Sequence, residues 1–382
     1  MKILMVSIFA PHFFNWTEQL EDSGHEIYWL DVFDSGAEVD QISFVHQITG
    51  WRYRWNYPGR YFIKKNFTWL NRFLNIFNER KLQNILEKKI EEIKPDAVHS
   101  FVMYLGTAPI LDVMKKHPNL KWIYSSWGSD LYYYRHLKDF HKDMQQTFPY
   151  IDYMFADCKR DHVIAQENGF KGEFLGVFPG GGGFDLQGLE PFMLDADKRD
   201  VLLIKGYQGK HGKSIEVLKA IEELQLKLKN YKIIIFGADK ETKEHVESSK
   251  INEWPNLKCY GKIERNEVLR LMGRSRIYIG NSTSDGLPNT LLEAIVMGAF
   301  PIQSNPGGAT AEIIKDGMNG MLIQNPTNSS EIKEILESIL NGDADIDKGV
   351  KYNFEYLRTA LDREKVKERV LEKYRIVEKN IN

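Results

Sequence analysis

The feature that most limits what this chain can fold into is a rhythm. Short apolar runs of strand length alternate with stretches of helical period, and the pattern occurs twice. In the first half, KILMVSIF, IYWLDVF, DAVHSFV, KWIYSSWGSD and YMFADC read as buried strands. NWTEQLEDSGHE, LQNILEKKIEEIK and KRDHVIAQENG read as helices, with Leu82, Ile85, Leu86, Ile90 and Ile93 on one face of the second. Strand runs that are apolar at nearly every position need cover on both faces, which a parallel sheet between helix layers provides. The β-α-β order makes that sheet doubly wound. The rhythm breaks at FPGGGGFDLQGLEPFMLDADKRD, which reads as a linker. It restarts with strands VLLIKG, KIIIFGA, LKCYG, IYIGNS, FPIQSN and GMLI, and with helices SIEVLKAIEELQLKL, RNEVLRLMGRS, NTLLEAIVMG and TAEIIKDG. The expectation is an α/β chain of two Rossmann-like doubly wound domains, residues 1–187 and 188–354, facing each other across a cleft. A charged helical tail, 355–382, crosses back to the first domain. Open α/β sheets bind ligands beyond the carboxyl ends of their strands, so function is expected in the loops that follow strands.

Composition narrows the classes. A chain of 382 residues is too long for one ordinary core, and 42% apolar content is that of a globular protein. A net charge of −2 gives no field suited to nucleic acid. Cys158 and Cys259 are far apart, with no Cys or His at metal-ligand spacing, so a reducing, cytoplasmic setting and no metal site are expected. No apolar run approaches the roughly 18 residues of a membrane span. MKILMVSIFAPHFF has one lysine and no small-residue cleavage site, so it reads as a first strand rather than a signal peptide.

The stretch VLLIKGYQGKHGKS imitates a phosphate loop. In that motif the first glycine stands five positions before the Gly-Lys pair, which here is Tyr207; Gly206 is one place too early. A loop of the wrong length does not wrap a triphosphate. What remains is a strand end and a glycine-rich turn carrying Lys205, Lys210 and Lys213 toward something anionic, or a solvated surface turn.

The richest segment is IYIGNSTSDGLPNTLLEAIVMGAFPIQSNPGG. A strand ends near Asn281, a loop carries Asp285, Gly286, Leu287 and Pro288, and a helix starts near Asn289, with Thr290, Leu291 and Glu293 in its first turns and Gly298 closing it. The backbone N–H groups of such a helix start favour a diphosphate. Carboxylates accept hydrogen bonds in a defined plane and suit sugar hydroxyls, so Asp285 and Glu293 on one strand–loop–helix unit point to sugar chemistry.

SDGLPNTLLEAIVMGAFPIQSNPGGATAEIIKDGMNGMLI resembles the donor-site signature of family 4 glycosyltransferases of the GT-B fold: an acidic residue and a Glu eight positions apart, a small-residue helix, a strand, Gly-Gly and a glycine turn. KIIIFGAD, NLKCYGKI and RNEVLRLMGRSRIYIGNS resemble other elements of that family's second domain, and LEDSGHEIYWL and KPDAVHSF elements of its first. The resemblance implies transfer of a sugar from a nucleoside-diphosphate donor to a glycan or lipid-linked acceptor, with retention at the anomeric carbon, no cofactor and no obligatory metal. It implies Glu293 on the donor ribose, Asp285 on the donor sugar, and N–H groups of Leu287 to Leu291 on the sugar and diphosphate. It further implies Lys205, paired with Lys213 or Lys210, on the leaving diphosphate, and Lys262 and Ile263 at the base. In the loop SSWGSDLYYYRH, Trp127 and Asp130 fall on the acceptor side, with Asp130 holding an acceptor hydroxyl. Departures from the family pattern are Asp rather than Glu at 285, Trp127 in place of a histidine, and Ile204-Lys205 in place of Gly-Arg. They leave room for a non-catalytic sugar-binding or scaffolding homologue. A GT-B nucleotide-sugar 2-epimerase is the other alternative.

Residues 51–81, WRYRWNYPGRYFIKKNFTWLNRFLNIFNERK, hold eight Lys or Arg against one Glu, with aromatics throughout. Arg52, Arg54, Trp55, Lys64 and Lys65 are the expected contacts with an anionic membrane surface, against the alternative of a packed insert.

Overall fold

Apolar runs become sheet interiors here as their patterning requires. The computed structural model describes residues 1–381 and divides into two units: Met1–Ala156, His162–Gly182 and the chain from Arg369 onward form the first, and Asp157–Asp161 with Gly183–Glu368 the second. The expected border at 187 therefore falls at Gly182–Gly183, among the four glycines, and the chain rejoins the first unit at Arg369 rather than at 355.

The first unit is built in the order β1 (Lys2–Ser7), α1 (Pro11–Glu18), β2 (Glu26–Asp31), β3 (His46–Ile48), α2 (Arg60–Asn66), α3 (Thr68–Asn78), α4 (Leu82–Ile93), β4 (Ala97–Phe101), α5 (Leu111–Met114), β5 (Lys121–Ser125), α6 (Lys138–Thr147), β6 (Tyr153–Ala156), α7 (Lys159–Glu167) and β7 (Glu173–Val177). Its sheet is parallel, in the order β3-β2-β1-β4-β5-β6-β7. Ile3 to Val6 and Val98 are wholly buried, as a central pair covered on both faces must be. Strands β3 and β7 were not legible as apolar runs: one is three residues long, and the other opens on Glu173 and contains Gly176.

The second unit continues with α8 (Leu186–Leu189), β8 (Val201–Lys205), α9 (Ser214–Glu222), α10 (Gln225–Leu228), β9 (Lys232–Phe236), α11 (Lys240–Ser248), β10 (Leu257–Cys259), α12 (Arg265–Arg274), β11 (Ser275–Gly280), α13 (Asn289–Val296), β12 (Phe300–Ser304), β13 (Met321–Ile323), α14 (Ser329–Asn341) and α15 (Ile346–Tyr352), and the last helix, α16 (Arg363–Lys379), begins in it and belongs to the first unit from Arg369. Its sheet, also parallel, runs β10-β9-β8-β11-β12-β13. The order reverses between β8 and β11, so the loops after these two strands open side by side.

Two helical readings change. TAEIIKDG forms only a short turn, Thr310–Glu312, because Asn319 takes the backbone groups a helix would use: its Oδ1 accepts from the Lys315 N–H at 2.6 Å and its Nδ2 donates to the Ile313 carbonyl at 3.1 Å. The charged tail breaks at Leu361, whose carbonyl accepts from the Phe184 N–H at 2.9 Å, while the Arg363 N–H donates to the Phe184 carbonyl at 2.9 Å. Beyond Arg369 the tail packs on the first unit. Trp16 Nε1 donates to the Tyr374 hydroxyl at 3.1 Å, that hydroxyl meets His99 Nδ1 at 2.7 Å, and His99 Nε2 meets Ser125 Oγ at 2.8 Å. Every member is buried and partnered, so this polar chain costs little and fixes where the helix lies. Among the described residues no helix is long and apolar enough to cross a membrane.

Candidate active site

The loop after β8 packs on itself. A Cβ at Gly212 would run into the Tyr207 carbonyl, and one at Gly209 would lie 2.5 Å from the Tyr207 ring, so these glycines permit close approach rather than a left-handed backbone. Tyr207, where a phosphate loop needs glycine, is thus what the turn folds around. Asp239 holds the loop from below. Its carboxylate accepts from the N–H groups of Gln208 and Gly209, both at 2.8 Å, and caps α11 through the Thr242 N–H at 3.0 Å. Partial burial pushes its pKa up, but these hydrogen bonds outweigh that and leave it below the usual carboxylate range.

The loop after β11 is stitched to the first. The Lys213 N–H donates to the Asn281 carbonyl at 3.0 Å, Asn281 Nδ2 donates to the Lys213 carbonyl at 3.0 Å, and the Thr283 N–H donates to the His211 carbonyl at 2.8 Å. Lys210, Lys213 and Asp285 all act on His211: burial and the two lysines lower its pKa, and Asp285 opposes them. The basic turn and the acidic loop therefore share one place. Asp285 Oδ1 accepts from the Gly286 N–H at 2.9 Å. Arg160 fixes the same loop, donating to the carbonyls of Asp285 at 2.8 Å and Pro306 at 2.6 Å while paired with Asp161 at 2.8 Å. Gly286 lets the loop approach closely: a Cβ there would displace the Asp157 carboxylate.

Pro288 caps α13, and Gly298, at φ +80°, ends it. The Leu291 N–H already bonds the Pro288 carbonyl at 3.0 Å, so Leu291 offers no donor, contrary to expectation; its side chain is wholly buried. Thr290 takes part through its side chain: Lys205 Nζ donates to its Oγ1 at 3.3 Å, and the buried Tyr278 hydroxyl donates to it at 3.0 Å. One turn on, Glu293 is 8% exposed, and its Oε1 accepts from Arg265 Nε at 3.2 Å. Burial pushes its carboxyl up, against the pull of Arg265 and then Lys205. Lys262 is exposed, and Ile263 is half-buried against the cluster that also receives Leu287.

The structure thus brings Lys205, Thr290 and Glu293 together, and Lys210, Lys213 and Asp285 around His211. Sequence reasoning did not find Arg265, Tyr278, Asp239 or Arg160. Arg265 alone had a usable signal, since it heads a helix just past a strand end. Asp157, Cys158 and Asp161 are the one group of potential metal ligands close together among the described residues. Arg160 already supplies cationic charge to Asp161, and burial pushes the Cys158 thiol far up, a donor set poorly prepared for a metal.

In the first unit, Trp127 is half-buried, its ring 4.9 Å from that of Phe101. Asp130 differs from expectation. It is 2% exposed, and its carboxylate accepts from the Met103 N–H at 2.7 Å and from the Tyr124 hydroxyl. It stabilises the turn after β4, where Val102 has φ +63°, a conformation costly for a β-branched residue. It is a positioning group rather than a binding carboxylate. Arg52 is paired with Glu79, whereas Arg54, Trp55, Lys64 and Lys65 are exposed.

Two parallel doubly wound sheets with this arrangement define the GT-B class of fold. Similar solved structures include sucrose-phosphate synthase from Thermosynechococcus elongatus (12% identity, TM-score 0.72, 100% of both chains covered) and Anabaena HepE in complex with UDP (14%, 0.68, 97% of this chain and 99% of that one). A lipopolysaccharide outer core galactosyltransferase is similar at 15% identity and a TM-score of 0.67, over 98% of this chain and 99% of that one. No curated protein sequence matches the chain. Residues 193–354 match the family model of the glycosyl transferases group 1, so that segment of the second unit is similar to the group 1 domain, within a chain of GT-B fold.

Proposed function

We infer that the enzyme moves a sugar from a nucleoside-diphosphate donor to a glycan or lipid-linked acceptor, with retention of anomeric configuration, in surface polysaccharide or glycolipid synthesis at the cytoplasmic face of a membrane. The observation that carries this reading is Glu293: a desolvated carboxylate flanked by Arg265 and Lys205, one helical turn beyond a loop stitched to a lysine-bearing turn. A buried carboxylate that accepts only one hydrogen bond from Arg265 has capacity left for a vicinal diol, and the ribose of the donor is such a diol. The first turn of α13 and Lys205, with Lys213 or Lys210, would then receive the diphosphate. Their positive charge acts most strongly as the glycosidic C–O bond breaks and negative charge builds on the leaving oxygen. Asp285 would orient the sugar. The acceptor proton passes to the departing phosphate oxygen on the same face, so no side-chain base is required. Lysines supply the countercharge that a metal supplies elsewhere. Trp127 presents the acceptor side, and Asp130 shapes the turn behind it.

That HepE binds UDP, and that another similar structure is a galactosyltransferase, supports a nucleotide-sugar donor. The test is release of nucleoside diphosphate from a panel of nucleotide sugars, with and without lipid-linked acceptors. Wild type is expected to turn over at least one donor and Glu293→Ala none. Equal signals for the two across the whole panel would favour a non-catalytic sugar-binding protein.

A further inference from the structure

Helix α3 is amphipathic in the wrong sense for water. Trp69, Arg72, Phe73, Ile76 and Phe77 recur at helical spacing and form one face, and that face is the exposed one: Trp69 is 70% exposed, Phe73 56%, Ile76 73% and Phe77 59%. The other side carries Leu70, Leu74 and three asparagines, Asn71, Asn75 and Asn78, all less exposed. Asn78 is buried and holds the backbone of Trp55, accepting from its N–H at 2.9 Å and donating to its carbonyl at 3.0 Å. A helix selected for solvent would turn asparagine outward and phenylalanine inward. Helix α2 repeats the pattern, with Tyr61 and Phe62 exposed beside Lys64 and Lys65. With Trp55 and Phe67, these residues expose on the order of 1,000 Å² of apolar surface, well above the largest patch of an ordinary soluble monomer.

The charge around this surface has one sign. Residues 51–81 carry eight cations against one anion, a net +7, and the anion, Glu79, is already held by Arg52. At the base of α3, Arg52, Arg72, Arg80 and Lys81 line a concavity of about 670 Å³ with Phe33 and Trp51 in its wall. A concavity of this size and sign fits a phosphate-bearing headgroup.

We propose that the α2–α3 hairpin docks on a bilayer containing anionic phospholipid, the α3 stripe lying at the headgroup–acyl boundary and the basic concavity receiving a lipid phosphate. The occupant must be apolar and anionic at once. A second copy of this chain would bring the same +7 against itself, and nucleic acid would leave Ile76 and Phe77 in water. Aromatics at headgroup level with cations beside them match a bilayer surface. None of this depends on the transfer chemistry, which resides in the second unit.

The test is flotation of the full chain with vesicles of phosphatidylcholine alone and of phosphatidylcholine mixed with phosphatidylglycerol, alongside melting curves with and without UDP. Wild type is expected to float with the mixed vesicles, far less with the neutral ones, and progressively less as salt rises. Arg72→Ala and Arg80→Ala are each expected to weaken binding roughly fivefold. Phe73→Ser combined with Ile76→Ser is expected to abolish it, with melting and any UDP-induced shift unchanged. Flotation that is equal for both vesicle types, or unaltered in the variants, overturns the proposal. So does a dimer in sedimentation that the serine changes dissociate while no variant floats. Loss of the UDP shift in wild type with flotation intact would count against the donor reading alone.

Discussion

The loops at the β8–β11 edge and the α2–α3 hairpin are both rich in cations, and they treat charge in opposite ways. At the edge the loops are buttressed: Asp239 under the basic turn, Arg160 over the acidic loop, Arg265 against Glu293, and backbone hydrogen bonds between the two loops. The hairpin leaves its aromatics in solvent and most of its cations unmatched by acids of its own segment. The difference is between charges held in place by their neighbours and charges and aromatics left in solvent. A preorganised site holds its charges in place before the ligand arrives, whereas a docking face gains its burial only on contact.

The sharpest way to break this comparison is at Glu293. Two hydrogen bonds that a buried carboxylate accepts from ribose hydroxyls are worth about 1.5–3 kcal/mol each, so Glu293→Gln is expected to lower the rate of diphosphate release by at least about 100-fold. Its melting temperature should hold or rise, because an imperfectly compensated buried charge is removed and Arg265, mostly exposed, is not stranded. Lys205→Met follows, with a loss of about 100-fold that falls on kcat more than KM if the lysine meets charge developing in the transition state. A raised KM alone would make it a ground-state anchor.

Arg265→Ala probes the electrostatic frame through pH. The Glu293 pKa is raised above 4.5 in the folded chain, so its carboxylate form, and with it activity, is lost as pH falls through that raised value. The same shift makes the ionised group a cost to stability at higher pH, a cost relieved as pH falls from the raised value toward 4.5. Removing the opposing guanidinium should move the acidic limb of the rate profile to higher pH, and an unmoved limb would show that Arg265 is not coupled to the site. Asp239→Ala is expected to cost about 1 kcal/mol through the lost cap, seen as a lower denaturation midpoint. The smallest effect belongs to the hairpin: Phe73→Ser should change stability by no more than about 0.5 kcal/mol in urea unfolding. A larger loss would mean that the stripe is core.

Strands covered on both faces were legible because continuous apolar runs have few other fates, and Asp285 and Glu293 because one strand–loop–helix unit carries both. Arg160 was not, since the carbonyl it holds is 125 positions away and its own surroundings, CKRDH, look like any charged helix start. Asp239 hid in the same way, since the loop it holds follows the neighbouring strand β8, and Tyr278 reads as one more apolar position of a buried strand. Asp130 misled for a related reason. A carboxylate following a strand signals binding, but the group it meets is the backbone of a neighbouring turn. The exposed face of α3 was half visible: its composition showed aromatics and cations, yet only the fold reveals which side of the helix is turned inward.

The stitching of the two loops also has a consequence in time. Because Lys213 and Thr283 donate their N–H groups across the seam, those amides should exchange slowly with solvent water even when no nucleotide is present. A nucleotide would then meet a seam that needs no rearrangement, and the speed of its capture would be set by diffusion and charge rather than by the opening and closing of a lid.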